Sequence, residues 1–381
     1  MTRSMGEGHN RSAQALRQGF LDRGHDCDVV DALRVAGDEA GPVSGSSSGS
    51  VPARRTRSDV SSALYGWAAF KVPALFGAVY NAGALYSRTG VPSPIRASNA
   101  RYAAATHAYI QDHHYDSVVS THTFPCETLG VVRRQFPSSV KYYGVLTDYT
   151  CTPFFAEPAL DGFCVPHADL LPGCVKQGLP AGATYATGLP VAARFRQPLD
   201  QAAARASLGL PADGALFLVM AGGVGGRYLT LVGDALIAEP RQYTCVVILT
   251  GRREDLYQSV TARYETDPRV TVVPFTERVP DYMAAADVLV TKPGGVSSTE
   301  AAAMGLPLVH TGAIPGCEVE NARFFGAHDL SVYNQHPAEA ARLAHWLLDD
   351  DAKVARMRAH QGLHIPGDGA DRIVTLIEDH A

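Results

Sequence analysis

The sequence lacks long apolar runs, and this absence limits where the protein can act. No stretch of its 381 residues approaches the roughly 18 consecutive apolar residues that a membrane-spanning helix requires. The first residues are polar and do not form the apolar core of a signal peptide. We therefore expect a cytoplasmic protein, a location that still permits peripheral contact with the inner face of the cell membrane.

Paired cysteines and an excess of positive charge are also missing. The seven cysteines are dispersed, with no CxxC pair and no metal-ligand spacing, which indicates reduced thiols and predicts no metal site. The net charge of −5 and the isoelectric point near 6.3 argue against general binding of nucleic acid.

The chain does contain a regular alternation of helical and strand patterns, which indicates an α/β protein with parallel sheets. Its length is typical of two domains rather than one. The pattern restarts around residues 191–214, just before the apolar strand ALFLVM. Residues 37–58 are rich in glycine, serine and arginine, which is typical of a flexible excursion. We expect two α/β domains with a cleft between them.

An aromatic and alanine-rich segment at residues 61–90 allows two interpretations. It can form core helices that break at Pro73. It can equally form a surface that faces an acceptor or a membrane, because aromatic side chains beside cations suit a lipid interface. The side chains concerned are Trp67, Phe70, Phe76 and Tyr80, with Arg54, Arg55, Arg57 and Lys71.

Two glycine-containing loops in the second half follow strands and can bind phosphate. The loop at residues 220–229 is weak evidence, because its glycines serve a tight turn equally well. The PGG turn at residues 293–295 leads into a helix, whose first N–H groups and positive dipole favour a diphosphate. Glu300 in that helix either completes a capping box with Ser297 or accepts hydrogen bonds from ribose hydroxyls.

Polar side chains also follow a later strand. Glu318, Glu320 and Asn321 come after a turn at its end. They are either solvated surface groups or acceptors for sugar hydroxyls, which need carboxylate and amide oxygens of this kind.

Three polar side chains in the first half are candidates for one functional site. His9 lies at the mouth of a helix that follows a glycine turn, and a histidine there is either structural or a general base near neutral pH. His122 and Asp148 lie at the ends of two strands of one predicted sheet. Since the carboxyl ends of parallel strands meet at one edge, all three side chains can converge there.

Eight stretches, in order over nearly the whole chain, resemble glycosyltransferase family 28, the GT-B group that includes monogalactosyldiacylglycerol synthase and the processive diacylglycerol glucosyltransferases. The stretches are GEGHNRSAQAL, STHTFP, TDYT, ATGLPV, MAGGVGG, VPDYMAAADVLVTKPGG, TEAAAMGLPLV and IPGCEVENARFF. The resemblance implies two Rossmann-like domains with parallel sheets facing across an interdomain cleft. Residues 1–195 would bind the acceptor, residues 196–365 would bind the UDP-sugar, and a helix at 366–381 would cross back.

The resemblance also implies which residues contact the donor. Backbone near Phe275 and Thr276 would contact uracil, and Glu300 would contact the ribose. The other donor contacts would be Pro293, Gly294, Gly295, Gly222, Gly223 and Gly225 at the diphosphate, and Glu318 and Asn321 near the sugar.

On the acceptor side, the resemblance makes His9 the candidate general base. If His9 is not the base, Asp148 is the alternative. Gly8, His122 and Trp67 would also lie on the acceptor side.

The implied activity is transfer of a hexose from a UDP-sugar to a lipid such as diacylglycerol, with inversion to a β-glycoside. Neither a metal nor another cofactor is expected, because helix-dipole and backbone donors would stabilise the leaving UDP. An anionic membrane surface would be a partner. Three alternatives stay open: a transferase for a soluble metabolite, a non-catalytic nucleotide-sugar-binding protein, and a UDP-sugar epimerase.

Two departures from the family pattern affect the predicted site. The family usually reads PGQE where this chain has Cys317 before Glu318, which leaves the identity of the sugar open. A histidine and a tryptophan often follow the TD motif, where this chain has Thr152 and Phe155, which leaves the acceptor pocket open.

A third departure concerns the first strand. Relatives carry an apolar strand before the glycine turn, whereas only residues 1–5 precede it here. We therefore expect a start shortened by an initiation codon assigned too late. We also expect the turn at residues 6–8 to be poorly anchored and His9 to be mispositioned.

Overall fold

The computed structural model describes residues 1–2, 7–35, 82–83, 85–87, 91, 93, 96, 99–197, 200–220, 226–241 and 243–380. The chain forms two compact units. Unit one comprises Met1–Ala192, Ile314–Cys317 and Asp368–Ala381, and unit two comprises Ala193–Ala313 and Glu318–Gly367. The predictions for residues 37–58, Trp67, Gly222, Gly223 and Gly225 fall outside the described residues.

Unit one is an α/β unit around a parallel sheet of four described strands in the order β1-β2-β3-β4. The strands are β1 Ser117–Ser120, β2 Lys141–Val145, β3 Gly162–Val165 and β4 Thr184–Ala186. The helices are α1 Glu7–Asp22, α2 Ala32–Val35, α3 Ala103–Asp112, α4 Thr123–Gln135, α5 Leu171–Lys176 and α14 Gly369–Glu378, with short 3-10 turns at Ala168–Leu170 and Ala181–Ala183.

Helices cover the sheet of unit one because its strands are apolar on both faces, as expected for a parallel sheet. Leu16 of α1 and Ile373 of α14 pack with Tyr143 and Cys164 of the sheet. A second apolar cluster, which includes Leu129 of α4, packs on other residues of the same sheet. The chain's last helix therefore contributes to the core of unit one.

Unit two contains a parallel sheet of six described strands in the order β10-β9-β8-β5-β6-β7. The strands are β5 Ala215–Met220, β6 Thr244–Gly251, β7 Val270–Pro274, β8 Val288–Thr291, β9 Leu308–His310 and β10 Val332–Tyr333. The helices are α6 Gln201–Leu208, α7 Gly226–Ala238, α8 Glu254–Tyr264, α9 Val279–Ala285, α10 Gly295–Ala303, α11 Cys317–Ala327, α12 Pro337–Leu347 and α13 Asp351–His364, after a 3-10 turn at Ala193–Phe195. The predicted α/β fold with two parallel sheets is confirmed.

The first two residues extend the sheet of unit one beyond β1. Met1 donates from its amino group to the carbonyl of Val119 and accepts from the N–H of Thr121 at 3.2 Å. On its other side Thr2 donates to the carbonyl of Val30 at 3.0 Å and pairs with Asp31 in parallel. Met1 and Thr2 therefore occupy a strand position between β1 and residues 30–32.

A cavity of about 100 Å³ lies beside this pair of residues. Its walls come from α1, residues 26–30, α3 and β1, and they include Leu16, Phe20, Val30, Ile110 and Val119. Alternate residues of a parallel strand face opposite neighbours, so Ser117 and Val119 of β1 direct their backbone groups towards Met1 and the cavity. Among the described residues, the cavity is therefore lined by one backbone edge of β1 and by apolar side chains of α1 and α3.

Among the described residues, no helix is both long and apolar enough to cross a membrane.

Candidate functional site

In unit one, His9 lies in the first turn of α1 and contacts the loops after β1 and β2. Its Nδ1 atom is 2.8 Å from the carbonyl oxygen of Thr121 and 3.0 Å from the hydroxyl oxygen of Thr147. The Thr121 hydroxyl donates to the backbone carbonyl of His9 at 3.1 Å. Both the ring and the backbone of His9 are therefore anchored by these hydrogen bonds. Its placement for catalysis stays a prediction.

The start of α1 also differs from the sequence prediction. The helix begins at Glu7, so Gly8 lies in its first turn rather than in a glycine turn before it. The physical reason is that the loop after β1 holds this first helical turn through the hydrogen bonds between Thr121 and His9.

His122 lies beside His9 at the end of β1. Its extended backbone makes it the N-cap of α4, and its Nδ1 accepts a hydrogen bond from the N–H of Phe124 at 3.0 Å. The centroids of the two imidazole rings are 4.6 Å apart and the rings meet edge to face. The structure thus brings together two of the three predicted side chains in direct contact.

Asp148, the third, acts on His9 through its charge. Burial lowers the pKa of His9, and this effect outweighs the negative charge of Asp148 and the Thr121 carbonyl, which both raise it. His9 is therefore neutral near pH 7, the form in which an imidazole can accept a proton.

In unit two, α10 begins at the carboxyl end of β8 with an open N-terminus. Its N-cap is Gly294, whose backbone is extended and provides no side chain to cap the helix. Among the described residues, no atom lies within 4 Å of a Cβ atom built on Gly294, so these residues leave the space above the turn open. The first N–H groups of α10 can therefore face a ligand, as the predicted diphosphate site requires.

The same geometry excludes the capping-box interpretation of Glu300. Since Gly294 is the N-cap, Ser297 is the third helical residue and Glu300 lies in the second turn, where it is buried. A capping box needs the serine itself at the N-cap. Glu300 is therefore a buried carboxylate of α10 with no part in capping that helix through Ser297.

Two side chains from the first turns of α11 contact the chain at the PGG turn of residues 293–295. Lys292, directly after β8, forms an ion pair with Glu318. Asn321 donates from its side-chain amide to the carbonyl oxygen of Pro293 at 3.0 Å. The two residues predicted near the donor sugar thus also fix the predicted diphosphate loop. Sequence reasoning missed Lys292, although its position at a strand end beside the turn was a usable signal.

A buried histidine supports α10 from within unit two. The ring nitrogens of His310 lie 2.8 Å from the hydroxyl oxygen of Ser298 and 3.0 Å from that of Ser331. Burial lowers the pKa of His310 to about 3, so the ring stays neutral and links helix to sheet through hydrogen bonds. Both ring nitrogens of His310 are therefore used in hydrogen bonds that stabilise unit two.

Phe275 and Thr276 follow β7, and Phe275 is the more exposed of the two. Phe275 is 38% exposed, and the Arg252 guanidinium lies 3.6 Å from its ring centroid. The Thr276 hydroxyl accepts from the N–H of Arg278 at 3.0 Å, so it stabilises the local turn. Sequence reasoning also missed Arg252, whose stack with Phe275 is a flat surface that suits an aromatic base.

Comparison with known families supports the resemblance. Residues 59–191 match the family model described as monogalactosyldiacylglycerol (MGDG) synthase, and residues 227–350 match the model for glycosyl transferases group 1. Processive diacylglycerol beta-glucosyltransferases of Staphylococcus aureus (strain Newman) and Staphylococcus carnosus (strain TM300) are 26% and 27% identical over 237 residues. That match covers 62% of this chain and 60% of each relative's own length.

Solved structures share the fold at low sequence identity. The crystal structure of Anabaena Alr3699/HepE in complex with UDP has a TM-score of 0.54 at 15% identity, covering 73% of this chain and 82% of that one. MurG of Acinetobacter baumannii has a TM-score of 0.53 at 15% identity, covering 74% and 78%. The S. aureus MnaA-UDP structure has a TM-score of 0.58 at 12% identity, covering 76% and 82%.

These findings agree with the eight sequence stretches that resemble glycosyltransferase family 28. The family-model matches lie in both halves of the chain, and the structural likeness extends over about three quarters of it. The chain is therefore similar to diacylglycerol glycosyltransferases in sequence, and it has the GT-B fold.

Proposed function

We propose that the protein transfers a hexose from a UDP-sugar to a lipid acceptor, and that the product is a β-glycoside. The observation that carries this proposal is the contact between His9 Nδ1 and the Thr121 carbonyl at 2.8 Å. A carbonyl oxygen can only accept, so the proton of neutral His9 lies on Nδ1 and its Nε2 is the proton acceptor. A buried neutral imidazole of this kind is suited to general-base catalysis.

The donor would bind in unit two. The open N-terminus of α10 and the turn at residues 293–295 would hold the diphosphate, and Glu300 would accept hydrogen bonds from the ribose. Uracil would stack near Phe275, and Glu318 and Asn321 would lie near the sugar. The glycine loop with Gly222, Gly223 and Gly225 remains a proposed diphosphate contact.

The reaction would be a direct displacement at the anomeric carbon. The acceptor oxygen forms a bond to that carbon while the bond to the UDP oxygen breaks, and the hydroxyl proton passes to His9 Nε2. Attack from the face opposite UDP inverts the configuration. The charge that develops on UDP would be stabilised by the N–H groups of α10 and the ammonium of Lys292, so we propose that no metal takes part.

Diacylglycerol is the proposed acceptor, because the curated relatives carry that substrate in their names and one matching model is an MGDG synthase. The aromatic segment at residues 61–90, with nearby arginines, fits a peripheral site on the anionic inner face of a membrane. Trp67, Gly8 and His122 are the proposed acceptor-side residues. A soluble metabolite is the alternative acceptor.

The test is a matrix of radiolabelled UDP-glucose, UDP-galactose and UDP-N-acetylglucosamine against diacylglycerol vesicles and soluble sugar acceptors. We expect label in the lipid phase with one UDP-sugar, and vesicle binding that falls as salt rises. Label only in soluble products would show that the acceptor is a soluble metabolite and not a lipid. UDP binding without transfer to any acceptor would favour a binding protein.

A further inference from the structure

We propose that His9 and His122 are held in opposite tautomers, so that one is the base of the site and the other a hydrogen-bond donor, and that Thr147 positions His9. Two neighbouring histidines can exchange roles unless something fixes their protons. The hydrogen bonds around each ring supply that constraint, and each uses a different kind of backbone group.

The tautomer of His9 follows from its two neighbours. The carbonyl oxygen of Thr121 has no proton to give, and at 2.8 Å from Nδ1 it requires a proton on that nitrogen. The Thr147 hydroxyl, 3.0 Å from the same nitrogen, then accepts a share of this N–H. Neutral His9 is therefore protonated at Nδ1, with its lone pair on Nε2.

The tautomer of His122 follows by the opposite argument. The backbone N–H of Phe124 lies 3.0 Å from Nδ1 of His122 and can only donate. Nδ1 must therefore carry the lone pair, and the proton of neutral His122 lies on Nε2. If Nδ1 of His122 carried the proton instead, it could not accept from Phe124, and α4 would lose its side-chain cap. Capping of α4 therefore favours the tautomer with the proton on Nε2.

The assignment separates two chemical roles within one pair of rings whose centroids are 4.6 Å apart. His9 presents a lone pair and can take the proton of a hydroxyl group. His122 carries its proton on Nε2 and is therefore a hydrogen-bond donor through that nitrogen. A hydroxyl-bearing acceptor needs a base that takes the proton of its attacking oxygen. It also needs a hydrogen-bond donor, because other oxygens of the same molecule lie beside the attacking one.

Thr147 is a positioning residue, because it contacts His9 rather than the reacting atoms. Its hydroxyl accepts from Nδ1–H in both the neutral and the protonated ring, and it stabilises the protonated ring more because a charged donor makes the stronger hydrogen bond. Asp148, the neighbouring carboxylate, acts on His9 in the same direction through its charge. Removing the Thr147 hydroxyl should therefore lower the pKa of His9 and raise the barrier to proton transfer.

The direct test is long-range ¹H–¹⁵N NMR of histidine-labelled full-length protein at about pH 8, where ordinary imidazoles are neutral. Nitrogens with and without a proton have separate ¹⁵N shifts. Among the 14 histidines, the signals of interest are assigned by their loss in His9→Gln and His122→Asn, the latter chosen because asparagine also caps helices. We expect a proton on Nδ1 of His9 and on Nε2 of His122. The reverse tautomer at either ring would overturn the proposal.

Thr147→Val tests positioning, with Thr121→Val as the matched control. Valine keeps the size of threonine and removes the hydroxyl, and at position 121 that hydroxyl contacts the backbone of His9 and not its ring. We expect Thr147→Val to lower the NMR pKa of His9 and to reduce kcat about 2- to 10-fold, equivalent to one neutral hydrogen bond. Thr121→Val should leave the pKa of the His9 ring unchanged.

A folded Thr147→Val protein with an unshifted His9 pKa would contradict the positioning role. The kcat comparison and the naming of His9 as a base rest on the proposed function, whereas the NMR measurements need no substrate. Failure of the tautomer assignment is therefore distinguishable from failure of the transferase proposal.

Discussion

Lys292 and Glu318 form an ion pair that joins the end of β8 to the first turn of α11. Their side chains are only 20% and 10% exposed, so the pair is largely removed from water. It lies beside the turn at residues 293–295, at the open N-terminus of α10. A cation at this position can serve both the local structure and a bound anion.

Lys292→Gln should lower both stability and UDP affinity. Loss of the ammonium leaves the Glu318 carboxylate buried without its cation, and we expect a loss of about 1–3 kcal/mol in the free energy of unfolding. UDP should also bind more weakly, because its diphosphate loses a nearby positive charge. Denaturant unfolding and calorimetry measure the two effects.

The control for this variant is Arg323→Gln, which removes an exposed ion pair with Glu320 on the same helix. Exposed pairs contribute little, so the control should change stability by less than about 0.5 kcal/mol. A Lys292→Gln protein that matches this control in both measurements would exclude the role given to Lys292.

Glu300→Ala should weaken UDP binding by roughly 1.5–3 kcal/mol, the scale of a hydrogen bond to a charged group. The carboxylate is buried in the second turn of α10, away from the capping position. Glu320→Ala, which removes a carboxylate from α11, is the matched control. Unchanged UDP affinity in a folded Glu300→Ala protein, measured by calorimetry, would exclude contact with the ribose.

The capping of α10 illustrates what sequence reasoning can and cannot resolve. The strand, the glycine turn and the helix were predictable because each has a strong local pattern. The residue at which the helix begins was not predictable. A serine three residues before a glutamate fits a capping box whether or not the helix begins at that serine. One residue pair, Ser297 and Glu300, therefore had two consistent interpretations until the N-cap was located at Gly294.

Glu127 makes stability depend on pH in a way that the sequence does not reveal. It is fully buried in α4, and within the part of the chain that the structure describes no group bonds to either carboxylate oxygen with hydrogen-bond geometry. Burial, and then the charge of Glu157, raises the pKa of Glu127 to about 8, although Arg96 and Arg134 oppose the shift. Because the folded state holds this proton more tightly than the unfolded state, stability should fall as pH rises from about 5 to about 8.

Glu127→Gln should remove most of this pH dependence, because the amide does not ionise. We expect the variant to be more stable than the parent by about 2 kcal/mol or more at pH 8, with a smaller difference at pH 5. Chemical denaturation at both pH values is the measurement, with the helix-surface change Glu254→Gln as control. Parallel pH profiles for parent and Glu127→Gln would show that Glu127 ionises normally.

Filling the cavity beside Met1 should stabilise unit one. An extension of about four apolar residues would continue the strand position of Met1 and Thr2, and would replace a buried amino group whose pKa burial lowers to about 6. At about 24 cal/mol for each Å³, filling a cavity of about 100 Å³ corresponds to about 2 kcal/mol. Thermal melting compares this extension with a glycine-serine extension of equal length, and equal melting temperatures would contradict the strand-position account.

The start of the chain also shows where reasoning from the sequence failed. The expectation of a poorly anchored start to α1 did not include the contacts that the loops after β1 and β2 make with His9. Tertiary hydrogen bonds from Thr121 and Thr147 anchor His9. Such contacts join residues more than 100 positions apart, and no local pattern encodes them.

The rate of hexose transfer from UDP-sugar to diacylglycerol in vesicles, measured for the parent and for His9→Ala, tests the central claim most directly. We expect a lipid-phase glycoside from the parent, and a kcat lower by about 10²–10⁴ in His9→Ala with UDP affinity intact. Turnover that survives in His9→Ala would transfer the role of base to another group such as Asp148. A parent protein that binds UDP but forms no glycoside with any donor and acceptor would contradict the assignment as a glycosyltransferase.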